Sequence, residues 1–193
     1  MLTYLHLIMT TRTLSYSTLA AVPHASLRAL RSALVRDLNV GFAGVLQEAG
    51  YAGGDAVFGA FREWCMDNGL AAPEQLPMAL FQESAAVFFT EAGWGTMSIS
   101  AIGDKVVALD STDWSEADPA AAMPYPSCYY SAGMLADLFG RVADGQLGCM
   151  EVECRSNGGE RCRFVLGGPE VLGHVYQRLT EGVGYEVALG ELG

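Results

Sequence analysis

Four of the chain's five cysteines, Cys128, Cys149, Cys154 and Cys162, fall between residues 128 and 162, and the last two flank Asn157-Gly158-Gly159. No other feature of the sequence constrains the fold as much. A glycine-rich turn between two apolar runs, residues 148–155 and 161–166, reads as a β-hairpin. With Gly158 at its centre, antiparallel partners pair Cys154 with Cys162, Val152 with Phe164 and Met150 with Leu166. Strand side chains alternate between faces, so these six share one face. Glu153 then opposes Arg163 on the other face as a solvent-side ion pair. Directly opposed residues have Cβ atoms about 4.5–5.5 Å apart. Two thiols so placed can bind a metal, form a disulfide, or sit as small buried apolar groups.

A third thiol comes from Cys128. Pro126-Ser127 opens a predicted helix with the apolar stripe Cys128, Ala132, Leu135, Phe139 and Val142. This places Cys128 in the first turn, where free amides favour a thiolate and metal ligation. Three thiolates and one further ligand describe a closed tetrahedral zinc site. Glu151, Glu153 and Cys149 compete for the fourth place. Glu151 is three residues from Cys154, and on a regular strand the two point to opposite faces. Only a β-bulge between them brings Glu151 to the cysteines.

The remainder of the chain reads as mostly helical and then mixed. Ser26 caps a predicted helix with the stripe Leu27, Leu30, Leu34 and Leu38. Phe42, Val45 and Leu46 continue apolar helix to Gly50. The sequence Ala52-Gly53-Gly54-Asp55 reads as a break, after which Asp55 caps a helix burying Val57, Phe58, Phe61, Trp64 and Cys65. Pro77 opens another, with Leu80, Phe81, Ala85, Phe88 and Phe89 inward. Alternation at Met97, Ile99 and Ala101, then Gly103-Asp104, then residues 105–109 predicts a hairpin with a two-residue type II′ turn. Residues 110–122 read as a polar loop. Pro169 starts a last helix through Leu172, Val175, Tyr176 and Leu179. Helices first and hairpins later predict an α+β fold, an antiparallel sheet of two hairpins packed with helices. Residues 1–25 read as an N-terminal arm, with residues 2–9 a strand or partner-binding segment, and 26–193 as one domain.

Composition removes several classes of function. The 193-residue chain carries 22 acidic and 11 basic side chains, for a net charge of −11, and Lys105 is its single lysine. Nucleic-acid binding needs a basic face that displaces counterions, and no such stripe is present. No apolar run approaches the roughly 18 residues of a membrane span. Apolar residues 1–9 precede Arg12, the reverse of a secretion signal, so a cytoplasmic protein is expected. In that compartment an odd number of cysteines argues against structural disulfides.

A family resemblance rests on three stretches: Ser127-Cys128-Tyr129-Tyr130-Ser131-Ala132-Gly133, then residues 151–158, Glu-Val-Glu-Cys-Arg-Ser-Asn-Gly, and Arg161-Cys162-Arg163-Phe164. Together they resemble the 4-vinyl reductase domain, also described as a predicted hydrocarbon-binding domain. The match is specific over 126–179 and loose elsewhere past Gly41. In the phenol- and xylene-responsive activators of this family, zinc is held by Cys, Glu, Cys and Cys. By motif those ligands fall on Cys128, Glu151, Cys154 and Cys162, which selects Glu151 and requires the bulge. The resemblance also implies an α/β sandwich similar to certain vesicle-tethering subunits, and a dimer. The ATPase and helix-turn-helix parts of the activators have no counterpart in this sequence.

Function is then weighed among three readings. For catalysis, His6, His24 and His174 lie in no acid–base motif, and neither glycine pair forms a phosphate loop or dinucleotide fingerprint. A four-ligand zinc site is closed and structural, so no enzyme activity is expected. For binding, Trp94, Tyr125, Tyr129 and Phe139 lie in sequence near the metal helix and are candidate pocket residues, with ordinary core packing as the alternative for each. The resemblance implies a small apolar or aromatic ligand. For association, the arm and first helix suit a homodimer or a protein partner. The expectation is a zinc-stabilised regulatory or sensor domain that acts through association. Its alternatives are a carrier or accessory protein of bacteriochlorophyll precursors and a plain protein–protein scaffold.

Overall fold

The computed structural model describes residues 19–193, so the expected strand or arm at residues 2–9 lies outside the described residues. In chain order the elements are α1 (His24–Leu38), α2 (Phe42–Asp67), α3 (Met78–Glu91), β1 (Ser98–Ile102), β2 (Val106–Ser111), α4 (Tyr129–Val142), β3 (Gly148–Glu153), β4 (Cys162–Gly167), α5 (Pro169–Thr180) and α6 (Tyr185–Gly190). The four strands form one antiparallel sheet in the order β1-β2-β4-β3. The two predicted hairpins therefore lie side by side and join through β2 and β4. This is the expected α+β fold.

Both faces of the sheet are covered, and the strand alternation shows how. Phe164 and Leu166 point into a large core with Phe61, Phe88, Phe89, Trp114, Leu135 and Leu138. Val165, between them, points the other way and joins Val106, Leu172, Val175, Ala188 and Leu189. Helices α2, α3 and α4 thus cover one face and α5 and α6 the other. The short helix α6 follows Gly182 and Gly184 and was not expected from the sequence.

The predicted break at Ala52-Gly53-Gly54 is absent, and α2 runs unbroken from Phe42 to Asp67. Close packing explains the glycines. A Cβ on Gly50 would lie 1.9 Å from the Tyr130 carbonyl oxygen, and one on Gly133 would lie 2.0 Å from that of Gln47. Glycine therefore lets the backbones of α2 and α4 touch, outweighing its poor helix propensity. Helix α4 is buried at every residue from Ser131 to Gly140.

Three further expectations are corrected. The first hairpin pairs Ile102 with Val106, which leaves a three-residue turn with Gly103 at φ +59° rather than a two-residue type II′ turn. Helix α1 starts at His24 after Pro23, with no side-chain cap from Ser26. Its leucine row is not its buried face: Leu30 and Leu38 are 54% and 43% exposed, and the buried residue of α1 is Arg31. Polar groups on the loops beneath α1 attract a guanidinium there, as described below.

Candidate metal centre

The second hairpin has two registers. Near its turn Glu153 pairs with Arg163, as expected, but beyond it Glu151 pairs with Phe164, Met150 with Val165 and Cys149 with Leu166. The predicted pairs Val152–Phe164 and Met150–Leu166 are thus shifted by one residue. A bulge between Glu151 and Glu153 produces the shift, and it turns Glu151 toward the same side as Cys154 and Cys162. The expected Glu153–Arg163 ion pair is also redirected. Arg161 forks onto Glu153 at 2.9 and 2.8 Å, while Arg163 forks onto Asp110 of β2 at 2.7 Å on both arms. Asp110 faces Arg163 across the β2–β4 ladder, so it reaches that guanidinium without distortion.

The bulge assembles a compact donor set. Cys128 is the N-cap residue of α4, one position before the predicted first turn. Cys154 ends β3 and accepts a hydrogen bond from the Ser156 amide at 3.3 Å, and Cys162 is the first residue of β4. The three thiols are at most 1% exposed. Their sulfurs and a Glu151 carboxylate oxygen all lie within 4.8 Å of one another, with Cys128 Sγ 3.7 Å from Cys154 Sγ. Zinc–sulfur bonds of about 2.3 Å at tetrahedral angles require sulfurs about 3.8 Å apart. The donor set fits a metal ion.

Electrostatics support the fit. Hydrogen bonds from the Cys128 and Cys162 thiols pull the Cys154 thiol far below its ordinary range, favouring a thiolate. Burial pushes the Cys128 thiol and the Glu151 carboxyl well up. Glu151 Oε2 accepts from the Cys128 amide at 2.7 Å, but Oε1 is buried with no hydrogen-bond partner. A buried acceptor left unpaired is costly, and a cation at the centre would satisfy it. Cys149, a candidate for the fourth place, is buried in the apolar core and stands outside the cluster.

The loop before α4 holds residues that sequence reasoning missed. Trp114 and Glu116 are 1% and 7% exposed, although residues 110–122 read as a polar loop. Trp114 donates to Ser131 Oγ at 2.7 Å. Glu116 accepts from the Tyr130 and Ser131 amides at 3.1 and 2.7 Å and from the Ser131 hydroxyl. It thereby caps α4 from outside the helix, and burial raises its carboxyl to about 7. A tryptophan inside an otherwise polar stretch was the available signal.

The aromatic candidates occupy separate contacts. Trp94 stacks on Trp114 at 5.5 Å and on Tyr130 at 6.0 Å, Tyr129 meets Phe42 edge-on, and Phe139 meets Phe81. Tyr125 is 39% exposed. A cavity of about 430 Å³ lies between the β1–β2 turn and α6, lined by Ile102, Lys105, Val106, Tyr185 and Leu189. Another of about 240 Å³ lies beside Tyr51, Asp137 and Arg141, and none of the four aromatic candidates lines either cavity.

Fold and site together define an α+β domain built around a cysteine-rich cluster able to bind a metal. Residues 112–168 match the family model of the 4-vinyl reductase domain, so this segment is a domain of that family, and it contains all four members of the cluster. The phenol-responsive sensory domain of the transcription activator PoxR has a similar fold, with 16% identity over 79% of this chain and 77% of that one and a TM-score of 0.61. A vinyl-4-reductase family protein from Methanocaldococcus jannaschii aligns at 17% identity over 77% and 82% of the two chains, with a TM-score of 0.51. A trafficking protein particle complex subunit 3 from Naegleria fowleri, covalently bound to palmitic acid, aligns at 13% identity over 75% and 93%, with a TM-score of 0.52. No curated protein matches the sequence. Among the described residues, no helix is long and apolar enough to cross a membrane.

Proposed function

We propose that this domain is a small-molecule sensor module stabilised by one structural zinc ion and acting through association with a second copy or another protein. The observation that carries the reading is the convergence of Cys128, Glu151, Cys154 and Cys162 inside the 4-vinyl reductase segment. Those four residues would hold the ion, which would supply a cross-link between the start of α4 and the β3–β4 hairpin. Four protein ligands close the coordination sphere, so the centre is read as structural and the protein as non-enzymatic. The solved PoxR domain was crystallised with phenol, which supports an apolar or aromatic ligand class here. Exposed Leu30 and Leu38 on α1 support an associating helix, and a cytoplasmic site of action belongs to the same reading.

Native mass spectrometry tests the reading directly. The expected result is one zinc per chain in a dimer, with a thermal shift when phenol or an alkylphenol is added. A metal-free monomer that ignores aromatic compounds would overturn it. A co-purified pigment would favour the carrier alternative instead.

A further inference from the structure

Helix α1 is attached to the domain in an unusual way. Its leucines leave much of their surface in solvent, and the residue it buries is Arg31, 4% exposed. A guanidinium costs several kcal/mol to desolvate unless it is paired, so its partners decide whether α1 docks. Arg31 Nη1 donates to the Glu116 carbonyl at 2.8 Å and to Ser156 Oγ at 3.4 Å, and Nη2 lies 3.9 Å from Asp118 Oδ2. The partners belong to two loops that meet at the metal centre. Glu116 caps the helix that follows Cys128, and the Ser156 amide donates to Cys154 Sγ. Ser156 also ties the loops to each other, because its hydroxyl accepts from the Asp118 amide at 2.9 Å and its carbonyl from the Met123 amide at 2.7 Å. A second, weaker tether joins His24 Nε2 to the Gly93 carbonyl at 3.0 Å.

From this we infer that Arg31 is a latch: it docks α1 on the loop pair that the Cys154 hairpin orders, so that metal occupancy and α1 docking are linked. The inference rests on the metal reading above. Metal at Cys154 fixes the Arg155–Asn157 turn, this fixes Ser156, and Ser156 with the Glu116 carbonyl forms the socket for the guanidinium. When the turn loosens, the socket is lost, and the apolar surface of α1 has nothing comparable to replace it. The leucine row on α1 then moves with the state of the centre, giving a module of this kind a route from site to partner. Linkage is reciprocal, so the factor by which zinc favours docked α1 equals the factor by which docked α1 favours zinc.

Hydrogen exchange over residues 24–38 and chelator competition for zinc, each on the full chain, test the latch. In the wild-type protein, removing zinc should speed exchange in α1 at least fivefold while residues 57–65 of the core change far less. In Arg31→Met, α1 should exchange fast with or without zinc, and zinc affinity should fall by a similar factor. Arg31→Lys should recover part of both, since an ammonium meets one acceptor but lacks the planar fork. Ser156→Ala attacks the socket from the other side and leaves the backbone donor to Cys154 in place. A zinc-loaded wild type whose α1 exchanges identically after chelation would overturn the latch alone. So would an Arg31→Met protein with unchanged α1 protection and zinc affinity. Failure of the wild type to bind zinc at all would instead overturn the metal reading, and the linkage with it.

Discussion

The carboxylate of Glu151 reaches the backbone amide of Cys128 across 2.7 Å, so one oxygen closes the N-terminus of α4 while the other stays free inside the cluster. One side chain thus serves the helix and the metal centre together. Replacing it with glutamine keeps an acceptor for the amide but removes the anionic ligand. Glu151→Gln should therefore fold, with zinc retention weakened at least tenfold in competition with a chromophoric chelator. Unchanged retention would show that the carboxylate is not a ligand.

Two cysteines separate coordination from packing. Cys162 is in the cluster, and Cys149, also buried, is outside it. Cys162→Ser should release metal and lower the melting temperature by roughly 5–15 °C, since a structural metal contributes directly to folding. Cys149→Ala should cost about 1–2 kcal/mol through a small cavity and leave the zinc stoichiometry at that of the wild type. Metal analysis alongside thermal melts distinguishes the two effects.

Burial holds the Glu116 carboxyl at about 7 in the folded protein, against an ordinary 4.5. The folded state therefore binds a proton more tightly than the unfolded state. The stabilising contribution is fully present below about pH 4.5 and is lost as pH rises through about 7. Its size is about 3 kcal/mol. The difference in denaturation free energy between wild type and Glu116→Gln should change across that interval and be flat above it. Taking the difference removes the titration of the metal ligands, which both proteins share.

Glycines on α2 and α4 should divide by their neighbours. Gly133→Ala drives a methyl into the Gln47 carbonyl, 2.0 Å away, and should cost at least 2 kcal/mol. Gly59→Ala, in the same helix pair but with nothing within 4 Å, should stabilise by about 0.5–1 kcal/mol. Urea denaturation of the two variants gives the comparison, and opposite signs are expected.

Much of the centre was legible because hairpin geometry and ligand chemistry constrain each other. Strand periodicity alone placed Glu151 on the wrong face, and the family's ligand pattern then required the bulge that the structure contains. The helices were read less well. Gly50, Gly53 and Gly54 look like punctuation in a linear sequence, and only the neighbouring α4 reveals them as contact points. The leucines of α1 likewise satisfy a helical period, but periodicity does not say whether a stripe meets this chain's core. Trp114 and Glu116 were missed because loop composition was taken as a sign of exposure, whereas one carboxylate capping a buried helix can bring a whole loop inside.

The irregularity at Val152 makes the ribbon sensitive to length as well as to residue type. Deleting that residue would restore an even ladder, but every side chain upstream in β3 would swap sides, carrying Glu151 away from the thiols and Met150 into the aromatic interior. Substitutions along this stretch are absorbed one at a time. A one-residue deletion would rewire half the strand, so the spacing from Glu151 to Cys154 should tolerate changes of chemistry far better than changes of number.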